Sequence, residues 1–573
     1  MLTEIQQRMA RPGKLEDDLW DLLGSENAPK LLVLTGSAGS GKSATINHLL
    51  AREHASPGRI ERCLSDATHS ESPDQQQVDR LAEFFRPFSD AAETYTGKCR
   101  LIAMNTGMAI RFFHDLPSAS SPPKLTKLES VLKYCMGLPL GSLSVDKELA
   151  TSVLVVNLDH RPTAGGDGDV LDGILQSLDP SSETGVFAGA PRCGTCQVRK
   201  WCWPMANATA ITSATARNAL SEAIGDVALS RGRQVAPRAL WDAVAELSLS
   251  GLEDQEDVTP NRDLCFAIAD VADAGNARPL ISGLACSTAL EKARPGTLLW
   301  DIAQRDPGFS ATRQAHELVS DAGLDAQRDA ERLRDWLAPS EPPHPAVLHA
   351  GELLDSAAWA VDEDSRWGRT LARAAWLAGA LATETAVDDE YAAALVAQAN
   401  GTAPGDEQVE ATELALDKIV EGIASAFGVI VKNTAHFYPT ATVRTDPTAD
   451  VLVEVDLLDD ELIKPEADPI VLSNERGAKL VGYRPISLSV SIDGKSVSVD
   501  YPLWQLLLRA STGSQPSATE LERFLGLRQA IRRLGVKAGA ADRATLLVRE
   551  TGSGGRKYQI TTRAGRLRAR EVI

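Results

Sequence analysis

An α/β fold built on a parallel sheet, followed by helical segments and a small α+β end, is predicted for this chain by three observations. Strand-like apolar runs alternate with helical patterns over about the first 160 residues. Helical periodicity then dominates from about residue 214 to residue 427. Beyond that, period-2 alternation with turn residues takes over.

Residues 30–50, KLLVLTGSAGSGKSATINHLL, open the first pattern. Residues 31–34 supply a buried strand, Gly36, Ser37, Ala38, Gly39, Ser40 and Gly41 the turn, and Lys42-Ser43 start a helix whose apolar face runs through Ile46, Leu49 and Leu50. This is the order of a P-loop. Its glycines let backbone N–H groups crowd round a phosphate, and the helix start adds unpaired donors and the positive end of its dipole. In that reading Lys42 reaches the β/γ-phosphates and Ser43 Oγ ligates Mg²⁺, with Thr45 in the same turn, so ATP and Mg²⁺ are the expected cofactors. The alternative is a glycine-rich turn that only joins strand to helix.

The elements around it follow in order. Residues 1–29 read as a helical lead-in, and a second strand is expected at 59–64, ending in the polar loop SDATHSESP. Residues 76–85 have helical period, 100–104 form a short buried strand ending in Asn105-Thr106-Gly107, and 152–156 form another ending in Asn157-Leu158-Asp159-His160-Arg161. Such alternation argues for a P-loop NTPase sheet whose strand ends carry the ligand site. Helices are expected over 214–337, around 359–399 and over 414–427, with APSEPPHPA at 338–346 as the clearest linker. Near the end, Leu488, Val490 and Ile492 alternate with serines, Asp493-Gly494 supplies turn chemistry and Val497, Val499 and Tyr501 alternate again, a hairpin. A helix at 519–534 and a hairpin of 544–549 with 556–562 close the chain. The expected domains are 1–212, with a cysteine knuckle at 193–202, a helical lid and helical domain at 213–337, a helical domain at 347–440 and an α+β domain at 441–573.

The 573 residues, 43% hydrophobic and 24% charged, are ordinary globular material with ample core. The start, MLTEIQQRMARPGKLEDD, has no apolar signal region, and no stretch is apolar for about eighteen residues, so a cytoplasmic protein without membrane association is expected. Eight cysteines are too few for a disulfide scaffold of this size. The net charge of −19 argues against a chain that coats nucleic acid over its whole surface. The charge is segregated, however: the last 53 residues hold 13 Lys/Arg and 4 Asp/Glu, net +9, which leaves −28 on the preceding 520. This basic end, with Arg528, Arg532 and Arg533 on its helix, is a candidate footprint for nucleic acid or a face for an acidic partner, set against an ordinary solvated surface.

A P-loop needs a carboxylate on a neighbouring strand for Mg²⁺, usually followed by a Glu that polarises the attacking water. Asp66 and Asp159 compete for that role, and neither is followed by Glu; His69 or Glu71 are possible substitutes. This half resembles MoxR-like AAA+ ATPases, in which the metal-binding strand is followed by a helix and then a strand ending in a sensor Asn. Asp66, the 76–85 helix and Asn105 stand in that order. The short separation of Asp66 from Lys42 leaves Asp159 open. Val235-Ala236-Pro237-Arg238 resembles the lid of the same ATPases, which implies that Arg238 reaches the γ-phosphate, and Arg161 is a weaker candidate for an arginine finger.

Cys193-x2-Cys196-x5-Cys202 is the other specific feature, because Cys-x-x-Cys is the turn that presents two sulfurs to one metal. A structural zinc or an iron–sulfur cluster is one expectation, a reduced knuckle packed around Trp201 and Trp203 another. The fourth ligand is open among Cys265, Cys286, His160 and an earlier cysteine. No nuclease signature is found: in DLLDDELIK, Glu461 and Lys464 are three apart where the common restriction fold needs two.

Together GSAGSGKS, SDATHSESP, MNTG, NLDHRP, CGTCQVRKWCWPMAN and the C-terminal hairpin running into DYPLWQLL resemble the DptF (DndF-like) proteins of DNA phosphorothioation-dependent restriction. The resemblance covers most of the chain. It implies an ATP-binding subunit that acts with other restriction subunits, a helicase-like ATPase and an accessory protein, on DNA lacking the backbone modification, with a homo-oligomer as a further candidate assembly. The missing Glu after Asp66 departs from a fast ATPase and leaves a nucleotide switch, or a general protein-remodelling ATPase, as other readings.

Overall fold

The computed structural model of the chain describes residues 13–65, 77–92, 95–165, 170–189, 193–250, 264–275, 277–309, 312–337, 344–355, 364–381, 387–399, 406–431, 434–437, 449–455, 462–514, 516–539, 543–550, 556–563 and 566–572. It divides into two compact units, residues 1–228, 234–386 and 474–483 in one and 229–233, 387–473 and 484–573 in the other.

The first unit is an α/β layer joined to a helical body. All four expected strands form: β1 (Leu31–Thr35), β2 (Ile60–Leu64), β3 (Cys99–Ala103) and β4 (Val153–Asn157). They pair in parallel in the order β2-β3-β1-β4, with Leu32 opposite Leu101 on one side and Leu154 on the other. Parallel strands are buried on both faces, which is why β1 reads as an unbroken apolar run. Leu31 and Val33 face one core with Phe84, Phe85 and Phe112. Leu32 and Leu34 face the other, under the helices Lys14–Leu23 and Lys42–Ala55 through Leu19, Trp20, Ile46 and Leu49.

β4 ends the sheet, and the unpaired edge of an end strand needs cover. Residues 474–483, from far along the chain, supply it. Asn474, non-helical at φ −153° within the helix Pro469–Leu480, donates its Nδ2 to the Val155 carbonyl at 2.9 Å. A methyl group on Gly477 would stand 2.2 Å from that oxygen, so only glycine fits there. Val481 closes the contact in the sheet's core.

The helical stretches expected after residue 213 pack on this same unit as far as residue 386. Their core is aromatic and aliphatic, with Trp203, Leu284, Leu371 and Trp376 buried. It also encloses a buried ionic network. Arg373, 1% exposed, donates to Asp306 at 2.5–3.0 Å and to Glu291 at 3.0 Å, and also to the Ser287 carbonyl.

The second unit holds two antiparallel sheets. β8 (Ile463–Pro465), β9 (Leu488–Ile492) and β10 (Lys495–Val499) form one, in the order β10-β9-β8. The expected turn is present, with Asp493 and Gly494 both at positive φ (50° and 72°), the geometry of a two-residue hairpin loop. The other sheet has six strands in the order β13-β12-β11-β7-β6-β5. These are β5 (Gly428–Val431), β6 (Thr434–Phe437), β7 (Ala449–Val455), β11 (Arg543–Glu550), β12 (Arg556–Arg563) and β13 (Arg566–Val572). β5 and β6 lie before residue 441, so the strand-rich part begins earlier than the alternation suggests.

Removing one partner from a buried ion pair leaves the other charge uncompensated. Arg373→Ala is expected to destabilise the first unit by about 3–5 kcal/mol, read as a lowered thermal midpoint; an unchanged midpoint would contradict the buried network.

Candidate functional site

The loop after β1 has the backbone a phosphate cradle requires. Gly36, Gly39 and Gly41 stand at φ 143°, 83° and 100°, conformations that side chains rarely tolerate. Gly41 caps the helix Lys42–Ala55, and Thr45 N donates to its carbonyl at 3.0 Å, so the helix begins at once and its first N–H groups point into the loop. Lys42 Nζ lies over the loop and donates to the carbonyls of Gly36 (2.8 Å) and Ser37 (2.7 Å) and to Ser40 Oγ (3.4 Å). Ser37, Ala38 and Ser43 are exposed, whereas Ser40 is buried beneath the turn.

Three neighbours hold this loop. Asp159, in the turn after β4, accepts from Ser37 N with both oxygens (2.9 and 2.8 Å) and from Ser37 Oγ at 2.8 Å. Arg238, in the first turn of the helix Pro237–Ser248, donates its backbone N–H to the Gly39 carbonyl at 3.4 Å, and a methyl group on Gly39 would meet the Arg238 Cβ at 3.1 Å. Its guanidinium-bearing side chain is exposed beside the loop. Third, Thr45 turns away from the loop and donates its hydroxyl to Glu16 at 2.6 Å.

Glu16 is the residue that sequence reasoning missed. It is 6% exposed, on the helix Lys14–Leu23, and receives Arg161 at 3.2–3.3 Å as well as Thr45. Burial alone would raise its carboxyl pKa, but the Arg161 charge, the Thr45 hydroxyl and the Gly13 N–H together hold it below the usual range. Arg161 is thereby committed within its own unit, which does not suit an arginine finger. The signal in the sequence was a lone acid, indistinguishable from Asp17 and Asp18 beside it.

Asn105 stands at the carboxyl end of β3, directly beside β1, and its Oδ1 accepts from Met108 N at 2.7 Å as a helix cap. β2, which leads to Asp66, lies one strand further out. Asp66, His69 and Glu71 fall outside the described residues. The loop, Asn105, Asp159 and Arg238 therefore gather at one sheet edge, the edge where parallel sheets bind ligands.

Cys193, Cys196 and Cys202 stand apart from it, in two short turns, Cys193–Thr195 and Arg199–Trp201, that run into the helix Trp203–Ile211. Trp201 and Trp203 are buried behind them, and the Trp203 indole donates to the Ser250 carbonyl at 2.8 Å. Among the described residues no three His, Cys, Asp or Glu side chains stand at metal-ligand spacing. Two proposed fourth ligands are placed elsewhere: His160 joins Asn157 at 3.1 Å in the turn after β4, and Cys286 is fully buried near Arg373.

In the second unit the basic end is uneven. Arg533 and Lys537, on the helix Leu525–Gly539, pair with Asp493 at 3.5 and 2.6 Å. The last strand carries Arg566, Arg568 and Arg570, all exposed and spaced by two, hence on one face of β13. Arg568 and Arg570 lie opposite Thr561 and Gln559 of β12. This arginine row is the second feature sequence reading missed: the excess of basic residues was noted, but the period-2 alternation Arg566-Leu567-Arg568-Ala569-Arg570 that marks a strand with one charged face was not.

No protein-family model matches the chain, and no curated protein and no solved structure matches it. Among the described residues no helix is long and apolar enough to cross a membrane.

A group whose pKa is depressed by folding adds stability above its unfolded value and loses it as pH falls through the folded value. Glu16→Gln should therefore lower the thermal midpoint at pH 7, with the gap to wild type closing as pH falls below about 4.3. A gap that persists unchanged in acid would contradict an ionised Glu16.

Proposed function

We propose that the first unit binds ATP with Mg²⁺ and that the chain is the nucleotide-dependent subunit of a DNA restriction system, acting with partner subunits on DNA that lacks backbone phosphorothioation. The observation that carries the nucleotide reading is the loop itself: three glycines in the left-handed region between a central parallel strand and a helix N-terminus, with Lys42 and Arg238 laid against it. A turn that merely joined strand to helix would need neither the lysine over its carbonyls nor a second helix start on its apex. In this reading the loop N–H groups and Lys42 take the phosphates, Ser43 and Asp66 take Mg²⁺, Asn105 and Arg238 sense the γ-phosphate, and Asp159 fixes the loop through Ser37.

The restriction reading rests on the likeness of the ordered motifs to DptF proteins and is supported by the arginine row. Arg566, Arg568 and Arg570, with Thr561 and Gln559 across the ladder, make a face of cations and hydrogen-bonding groups that suits phosphate oxygens. A second reading, a switch that binds ATP and hardly hydrolyses it, is favoured by SDATHSESP, which offers no Asp-Glu pair after β2. Turnover with and without DNA separates the two, and turnover indifferent to DNA would instead point to protein remodelling.

Lys42→Ala is expected to weaken ATP binding at least tenfold in a titration of the full chain; unchanged affinity would overturn the nucleotide site. Charge reversal at Arg566, Arg568 and Arg570 together should lower DNA affinity and make log K less steep in log salt by about 2–3. An unchanged salt slope would remove this face from the DNA contact.

A further inference from the structure

Four of the eight cysteines share one neighbourhood of the first unit. Cys193 and Cys196 are joined by the Cys196 N to Cys193 carbonyl hydrogen bond (3.4 Å), and Cys202 N donates to the Arg199 carbonyl at 3.1 Å, so two consecutive tight turns hold the three residues in one compact segment. The fourth comes from a distant point in sequence. Cys265 is the second residue of the helix Leu264–Ala274, which packs against the Arg199–Trp201 turn. Cys193, Cys196 and Cys265 all lie near enough to Cys202 for their charge to act on it. The remaining four lie elsewhere: Cys63 and Cys99 on β2 and β3, Cys135 at the end of the helix Thr126–Cys135, and Cys286 in the helical core.

The platform beneath these thiols is rigid. Trp201 and Trp203 are buried, Asn207 Nδ2 donates to the carbonyls of Leu247, Ser248 and Gly283 at 2.8–3.3 Å, and its Oδ1 accepts from Ala285 N at 2.8 Å. The thiols themselves are half-buried or, at Cys265, exposed. The tryptophans are inside, Cys202 packs half-buried against the helical core, and Cys193, Cys196 and Cys265 keep part of their surface exposed. Two histidines pack on the same turn: His349 meets Trp201 edge-on and pairs with Glu352 through Nδ1, and His344 Nδ1 accepts from Ala346 N, while the Nε2 of each is buried without a hydrogen-bond partner among the described residues.

We propose that Cys193, Cys196, Cys202 and Cys265 form a four-thiolate metal site that ties the Cys193–Cys202 turns to the helix Leu264–Ala274. The sulfurs do not stand at ligand spacing, so closing the site requires side-chain rotation at the three knuckle cysteines and at the exposed Cys265. Binding replaces four S–H bonds by four metal–sulfur bonds and releases four protons, with no change of oxidation state. Its role is structural, since all four positions are filled by protein. The proposal is independent of the nucleotide reading, because it uses none of the residues assigned to the loop.

The test is elemental analysis and visible absorbance of the full chain, purified both aerobically and anaerobically, alongside Cys265→Ser, Cys196→Ser, His344→Ala and, as a cysteine control, Cys135→Ser. The expected result is about one zinc per chain, or about four irons with a broad visible band. Metal content should fall at least fivefold in Cys265→Ser and Cys196→Ser and stay unchanged in His344→Ala and Cys135→Ser. Should Cys265→Ser fail to fold, Cys265→His is read instead, since imidazole can replace a thiolate on zinc; it is expected to fold and keep zinc. Wild-type chain without metal from either purification would overturn the site, and full metal in Cys265→Ser with loss in His344→Ala would overturn its fourth ligand.

Discussion

The contact on which the proposed site depends is the grip of Asp159 on Ser37. Three hydrogen bonds of 2.8–2.9 Å fix the first turn of the glycine loop to the end of the neighbouring strand. Charge-assisted bonds to a carboxylate are the stronger kind, and here they restrain a segment whose glycines would otherwise range widely. The same strand end carries Arg161, which is locked to buried Glu16, which in turn takes the hydroxyl of Thr45 two residues past Ser43. The loop is thus held at its start by Asp159 and just past its end by the Arg161–Glu16 pair, while its apex carries the backbone of Arg238.

That arrangement sets what the site can do. A cradle fixed before phosphate arrives spends little binding energy on ordering, which favours tight binding over fast release. The sheet edge offers Asn105, at the end of β3, on one side of β1 and Asp159, after β4, on the other. The edge strand β4 is in turn held by Asn474 and Gly477, from a part of the chain whose flanking residues belong to the second unit. Whatever displaces residues 474–483 acts on the strand that ends in Asp159.

Much of this was legible in the residues. The four parallel strands, the glycine turn and the Asp493-Gly494 hairpin announce themselves because apolar runs, period-2 alternation and positive-φ residues are local signals. Glu16 was not legible, since one acid among several on an N-terminal helix gains meaning only when folding buries it against Arg161. β5 to β8 and β13 were missed as well: runs such as GVIV, ADVLVEV and RLRAREV carry strand signals, but pieces this short are fixed by their ladder partners. Cys265 stood among several possible fourth thiols until the helix that carries it packed against the knuckle.

The most direct test of the account is amide hydrogen exchange of the full chain with and without saturating ATP and Mg²⁺. Protection should rise together in residues 36–49, which carry the loop and its helix, and in residues 235–241, which carry Arg238, with little change in the six-stranded sheet. Exchange in residues 36–49 that stays the same with nucleotide present would contradict the claim that this loop is a phosphate site.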